Sequence, residues 1–120
     1  MKKIIAIISA TIISLVAFAS AQGEKTSSCK IEGIPGAYVT ARTGEVTGDG
    51  YLHVYVNSYG VSNAGVTVEV AFTKDPNGEN VQTEEKMCYV SNGSGEAKIY
   101  VGKGGVFRAR WIKVYNAVCR

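Results

Sequence analysis

Histidine is nearly absent from this chain, with one residue, His53, among 120. Catalysis by proton transfer or by an activated nucleophile most often needs a histidine beside a nucleophile or a carboxylate. His53 falls at a solvent-facing position of a predicted strand, and the sequence places no partner beside it. HExxH, paired CxxC and phosphate-binding glycine motifs are absent too. We therefore predict a protein that is not an enzyme, with no cofactor and no metal ion.

Long apolar runs are equally scarce, and the one that is present lies at the start. Lys2 and Lys3 precede an apolar stretch over 4–18, which ends in the small residues Ala-Ser-Ala at 19–21. The stretch is shorter than the roughly 20 residues that cross a bilayer. We therefore predict a secretory signal peptide over 1–21. No second such run follows, so we expect a secreted or periplasmic protein without a membrane span after cleavage.

Excess charge is also small once that signal is set aside. Without Lys2 and Lys3, the 13 basic residues become 11 against 10 acidic ones, a net charge of +1. This balance does not support nucleic-acid binding. The remaining length suits one domain and is too short for two. We predict a polar lead segment over 22–36 and a single domain over 37–120.

Alternation of apolar and polar residues dominates what remains. In 51–57 and in 66–72 every second residue is apolar, a period of two that predicts strands with one buried face. A bend rich in Gly, Ser and Asn over 58–65 joins them, so we expect a central strand pair of hairpin type. An isolated pair is only marginally stable in water, so its apolar face requires a second sheet.

Four further segments show the same alternation. They are 37–42, 81–90, 97–101 and 106–118, and they are separated by turn signals at 34–36, 43–50, 75–78, 91–95 and 102–105. The charged centre of 81–90 suits a sheet edge, and a change of period predicts a bulge at 111–113. Six strands without a helix predict an all-β antiparallel sandwich or barrel.

Three segments carry a resemblance to a known family: GVSNAGVTV at 60–68, SNGSGEA at 91–97 and the closing strand over 107–114. Together they resemble the bacterial immunoglobulin-like domains of the invasin and intimin type, and the related single modules of secreted bacterial hydrolases. The resemblance covers about 37–118 and implies an immunoglobulin-like β-sandwich of six to seven strands. Those domains usually have one more closing strand, so we expect the segment around 30–34 to fill that edge or the edge to be open.

The resemblance also bears on the three cysteines, of which an exported protein is expected to pair two. Immunoglobulin-like strand order implies that Cys29, Cys88 and Cys119 lie at one pole of the sandwich. Two pairings stay open, Cys29 with Cys119 and Cys88 with Cys119. The first closes a loop of about 90 residues and stabilises by about 4–5 kcal/mol in the chain-entropy view.

The same strand order implies a candidate binding surface. It makes the second and fifth predicted strands neighbours, so their outward residues share one patch. Tyrosine is frequent in interfaces because it combines a large apolar ring with a polar tip. On the opposite sheet we expect Glu69 to face Arg108 or Arg110. The predicted patch consists of Tyr51, His53, Tyr55, Lys98 and Tyr100.

From these features we expect a non-catalytic binding or adhesion module that works outside the cell membrane. Its expected partner is a protein or a glycan of the cell envelope or extracellular space, and not a nucleic acid. The alternative is a structural or adhesive subunit that assembles through an open sheet edge, which makes self-association possible.

Overall fold

A computed structural model describes residues 24–120, so the predicted signal peptide lies outside the described residues. This part of the chain contains seven strands and no helix, and hence no helix that would cross a membrane. The strands are β1 (Thr26–Lys30), β2 (Tyr38–Val46), β3 (Tyr51–Tyr59), β4 (Ala64–Thr73), β5 (Gln82–Val90), β6 (Ser94–Tyr100) and β7 (Arg108–Cys119).

The strands form two antiparallel sheets that pack face to face. Sheet A has the order β1-β2-β3-β6, and sheet B has the order β5-β4-β7. The prediction of an all-β antiparallel sandwich is therefore confirmed. Two predicted neighbour relations are confirmed with it, since β3 pairs with β6 and β4 pairs with β7. These pairs are the second with the fifth and the third with the sixth of the strands expected from sequence.

The interior lies between the alternating faces of β3 and β4. Every second residue of β4, from Val66 to Phe72, is at most 1% exposed, and Leu52, Val54 and Val56 of β3 are fully buried. Burial of one such side chain stabilises the fold by about 1.5–3 kcal/mol. The period of two therefore decides which face of each strand points inward.

The expected hairpin over 51–72 is wrong, because β3 and β4 lie in opposite sheets. The chain leaves sheet A at Gly60, whose φ of 90° favours glycine and which packs against the Ala37 backbone. The Ser58 hydroxyl donates to the Val61 carbonyl at 2.7 Å and supports this crossing. A period of two is equally compatible with two strands paired in one sheet and with two strands in opposite sheets. Periodicity therefore does not distinguish an arch between sheets from a hairpin.

The lead segment expected over 22–36 is also wrong in part, since β1 lies within it. Thr26 to Lys30 pairs with β2 from Arg42 to Tyr38, so the sandwich begins before residue 37. This strand is polar, and its backbone pairing with β2 holds it in the sheet. Its sequence therefore shows little of the apolar alternation by which a strand is recognised.

The edge of β7 is nearly open in the described part of the chain. β7 pairs with β4 on one side, and on its other side Glu32 N–H donates to the Ala117 carbonyl at 3.0 Å. The segment around 30–34 thus covers one end of this edge and leaves the rest without a strand.

Two irregularities interrupt β7. In the first, Ala71 pairs with Trp111 and Phe72 with Ala109, so Arg110 is an extra residue, just before the bulge predicted at 111–113. The second coincides with Asn116, which has a φ of 55°. Glu69 consequently lies opposite Lys113. The expected pairing of Glu69 with an arginine of β7 is wrong because the register cannot be read from parity alone.

The three cysteines are free thiols in the structure. Cys88 on β5 and Cys119 on β7 flank β4, so their strands are about 9–10 Å apart, beyond the Cα separation that a disulfide allows. Burial raises the pKa of the Cys29 thiol, and the backbone of Ala117, two residues from Cys119, lowers it. The Cys29–Cys119 pairing thus stays a prediction, and the geometry disfavours the alternative.

A glycine at the β5–β6 crossing provides a test of this packing. A Cβ on Gly95 would lie 2.5 Å from the Tyr89 carbonyl oxygen, whereas one on Gly48 would meet nothing within 4 Å. We expect Gly95→Ala to lower the free energy of unfolding by about 1–3 kcal/mol or more, as overpacking does, and Gly48→Ala to change it by about 0.5 kcal/mol at most. Urea unfolding of both variants measures the difference, and equal stabilities would contradict the described crossing.

Candidate functional site

Tyrosine is concentrated on the outer surface of sheet A. Five of the seven tyrosines lie on β2, β3 and β6 at positions whose neighbours in sequence point into the core. We call this surface the tyrosine face, and alternation explains it because each apolar inward residue forces its neighbour outward. The tyrosine face is formed by Tyr38, Tyr51, Tyr55, Tyr59 and Tyr100.

All five residues of the predicted patch lie together on this face. Tyr51 is opposite Tyr100, His53 is opposite Lys98, and Tyr55 occupies the next outward position of β3. The rings of Tyr51 and Tyr100 meet edge to face, with centroids 5.1 Å apart. Strand pairing therefore produces the juxtaposition that the resemblance implied, whereas a binding role for these residues stays a prediction.

Three charged residues that the sequence analysis missed complete the centre of the face. The Arg42 guanidinium lies 4.7 Å from the centroid of the Tyr55 ring, and the Tyr55 hydroxyl donates to the Glu45 carboxylate at 2.9 Å. Glu96 contacts His53 Nδ1. Only the register of β2 and β6 against β3 places these side chains here, and sequence spacing carries no signal for it.

An irregularity in β2 explains how Glu45 reaches Tyr55. Between Thr43 and Val46 the register shifts, so Gly44 and Glu45 together occupy the space opposite one residue of β3. A Cβ on Gly44 would collide with the Tyr55 ring, so glycine is required for the ring to lie across the strand. The bulge thus re-aims a carboxylate onto the tyrosine face.

These contacts shift two pKa values in opposite directions. Hydrogen bonds from its own backbone N–H and from the Tyr55 hydroxyl lower the pKa of Glu45. Because the Glu45 carboxylate accepts a hydrogen bond from the Tyr55 hydroxyl, the neutral phenol is favoured. This raises the pKa of Tyr55. At neutral pH the pair therefore consists of a phenol donating to a carboxylate.

The two ends of the tyrosine face are the most accessible. Tyr38 and Tyr59 stack with centroids 4.8 Å apart and an interplanar angle of 22°, and they are 42% and 46% exposed. At the other end Tyr100 is 52% exposed. The centre is more covered, since Tyr55 is held between Arg42 and His53. Aromatic surface is therefore offered to a partner at both ends.

The outer surface of sheet B differs from the tyrosine face. Met87, Tyr89, Trp111 and Val118 are exposed there, and Lys113 and Arg120 lie over the rings of Trp111 and Tyr89, respectively. The Tyr115 hydroxyl donates to Glu85, which raises the pKa of Tyr115 to about 12. This surface is a useful control because it carries two tyrosines in a different setting.

Over 24–120, no group of three or more His, Cys, Asp or Glu side chains is placed to hold a metal ion. Comparisons of the chain with protein-family models, curated proteins and solved structures find no match. The immunoglobulin-like relationship thus stays a prediction from the residue pattern.

The phenol–carboxylate pair predicts a pH effect. Because the pKa of Tyr55 is raised above the unfolded value of about 10, its bond to Glu45 stabilises the fold below about pH 10, and this contribution is lost as the pH rises through the folded-state pKa. We expect Glu45→Gln to lower the pKa of Tyr55 and to leave Tyr115 unchanged. Tyrosine ring NMR through an alkaline titration measures both, and an unaltered Tyr55 would contradict the contact.

Proposed function

We propose that this protein is an exported, non-catalytic binding module that holds a protein or glycan of the cell envelope or extracellular space on its tyrosine face. The observation that carries the proposal is the concentration of five of seven tyrosines on one side of the sandwich. Rings at both ends of that side are about half exposed. Such rings offer large contact area with little loss of side-chain freedom.

The setting of the central residues supports the same proposal. Arg42, Glu45 and Glu96 hold Tyr55 and His53 in place, so the middle of the face is ordered before a partner arrives. Preorganised side chains lower the entropic cost of association. Cross-strand tyrosine pairs also stabilise a sheet by themselves, so a test must separate binding from stability.

A double variant with a matched control makes that separation. We expect Tyr51→Ala/Tyr55→Ala to lose about 2 kcal/mol or more of binding free energy, as interface hot spots do. Tyr89→Ala/Tyr115→Ala removes the same groups from the opposite surface and should leave binding unchanged. A glycan array and binding to envelope fractions provide the readout, with unfolding curves to confirm that all variants are folded. Unchanged binding by the first variant would reject the tyrosine face.

A second candidate function is assembly through the edge of β7. The observation that favours it is a 12-residue edge strand whose free side is contacted, within the described residues, at Ala117 by Glu32 and Cys29. An exposed ladder of this kind accepts an added strand. The bulges at Arg110 and Asn116 and the cations along β7 oppose it, because natural edges use these devices against pairing.

Sedimentation over a wide range of concentration distinguishes the two candidates. The binding module is expected to remain a monomer at every concentration. Oligomers that grow with concentration would favour the assembling subunit.

A further inference from the structure

A row of short polar side chains crosses the tyrosine face between its aromatic ends. Strand register aligns four of them, one on each strand of sheet A, and we call them the polar row. Three interstrand steps of about 4.8 Å carry the row about 14 Å across the sheet. The polar row consists of Ser28, Thr40, Asn57 and Ser94.

Aromatic side chains rise on both sides of this row. The stacked rings of Tyr38 and Tyr59 lie one outward position away on one side, and Tyr55 with Arg42 lies one outward position away on the other. Those two banks are about 13 Å apart along the strands. Short side chains between long ones make the polar row the floor of a trough. An open depression of about 960 Å³, lined by residues of 28–38, adjoins the trough at its β1 end.

The floor of the trough offers hydrogen-bonding groups that the protein does not use. Within the described chain, the hydroxyls of Ser28, Thr40 and Ser94 have no hydrogen-bond partner. The Asn57 amide donates to the Gly93 carbonyl at 3.3 Å, which leaves its side-chain oxygen as an acceptor. Each hydroxyl both donates and accepts, so the row suits a ligand that also carries many hydroxyls.

The absence of charged side chains from the polar row favours a ligand without charge. The polar row contains no ionisable group, while Arg42 lies over the Tyr55 ring and Glu96 contacts His53. Lys30 lies one outward position from Ser28, beside the β1 end of the row. An anionic or cationic partner would therefore find no unpaired countercharge on the floor. A neutral polyol with apolar ring faces matches both the floor and its aromatic banks.

We propose that the trough binds a neutral oligosaccharide, whose hydroxyls bond to the polar row while a sugar ring packs against Tyr59, which is 46% exposed. The inference rests on the proposed function of the tyrosine face and narrows it to one ligand class and one location. Tyr100 lies outside the trough, two outward positions beyond Tyr55 on the same side of the sheet.

The test uses the purified protein and a panel of oligosaccharides of neutral hexoses, with uronic-acid oligosaccharides alongside. We expect NMR shifts at Thr40, Asn57 and Ser94 with neutral members of the panel. Tyr59→Ala should weaken binding about tenfold, the size of one lost ring contact. Thr40→Glu, or Ser94→Glu should the first not fold, should also abolish binding by placing a carboxylate on the floor. Tyr89→Ala, on the outer surface of sheet B, should bind as the unaltered protein does.

Each other result overturns the trough in a recognisable way. Preference for the uronic-acid probes would reject a neutral ligand. Shifts confined to Tyr51 and Tyr100 would move binding elsewhere on the tyrosine face and leave the proposed function intact. If no oligosaccharide binds, but Tyr51→Ala/Tyr55→Ala abolishes the binding of an envelope protein, the trough is rejected and the proposed binding module is retained. If no partner depends on the tyrosine face for binding, both proposals are rejected.

Discussion

Burial of the valines of β4 against the apolar side of β3 is the constraint on which the other features depend. Val66, Val68 and Val70 have no solvent exposure, and neither do Val54 and Val56 across the interior. Because strands alternate, these inward positions determine every outward one. The tyrosines of β3 lie on one surface for this reason, and a shift of one residue would bury them and expose the valines.

The two outer surfaces of the sandwich have different chemical character. Sheet A presents tyrosines around a polar centre, with arginine and carboxylates bonded among them. Sheet B presents Trp111, Met87 and Tyr89 beside cations that lie over the rings. Exposed rings covered by cations of the same chain already make cation–π contacts within the protein. The tyrosine face retains unbonded hydroxyls, which is why it is the better candidate for recognition.

Strand positions were largely predictable from sequence, because alternation is a local property. The boundaries of β3 to β7 lie within a few residues of those expected, and the turn at 75–78 forms as its Pro-Asn-Gly indicates, with Gly78 N–H donating to the Asp75 carbonyl. β1 was missed because Thr26 to Lys30 buries little and alternates weakly. The bulge that brings Glu45 to Tyr55 was missed because it shows only in the pairing of β2 with β3.

The sequence by itself determined which residues face inward, since each apolar side chain recurs at every second position and water selects that face. It also placed Tyr51, His53 and Tyr55 on the outward side of one strand, and Lys98 and Tyr100 on the outward side of another. Only the tertiary structure decided that 51–72 is an arch between sheets, and that Ser28, Thr40, Asn57 and Ser94 align in one row. Pairing of strands distant in the chain decides such alignments, because register depends on packing between segments and not on the local pattern of any one of them.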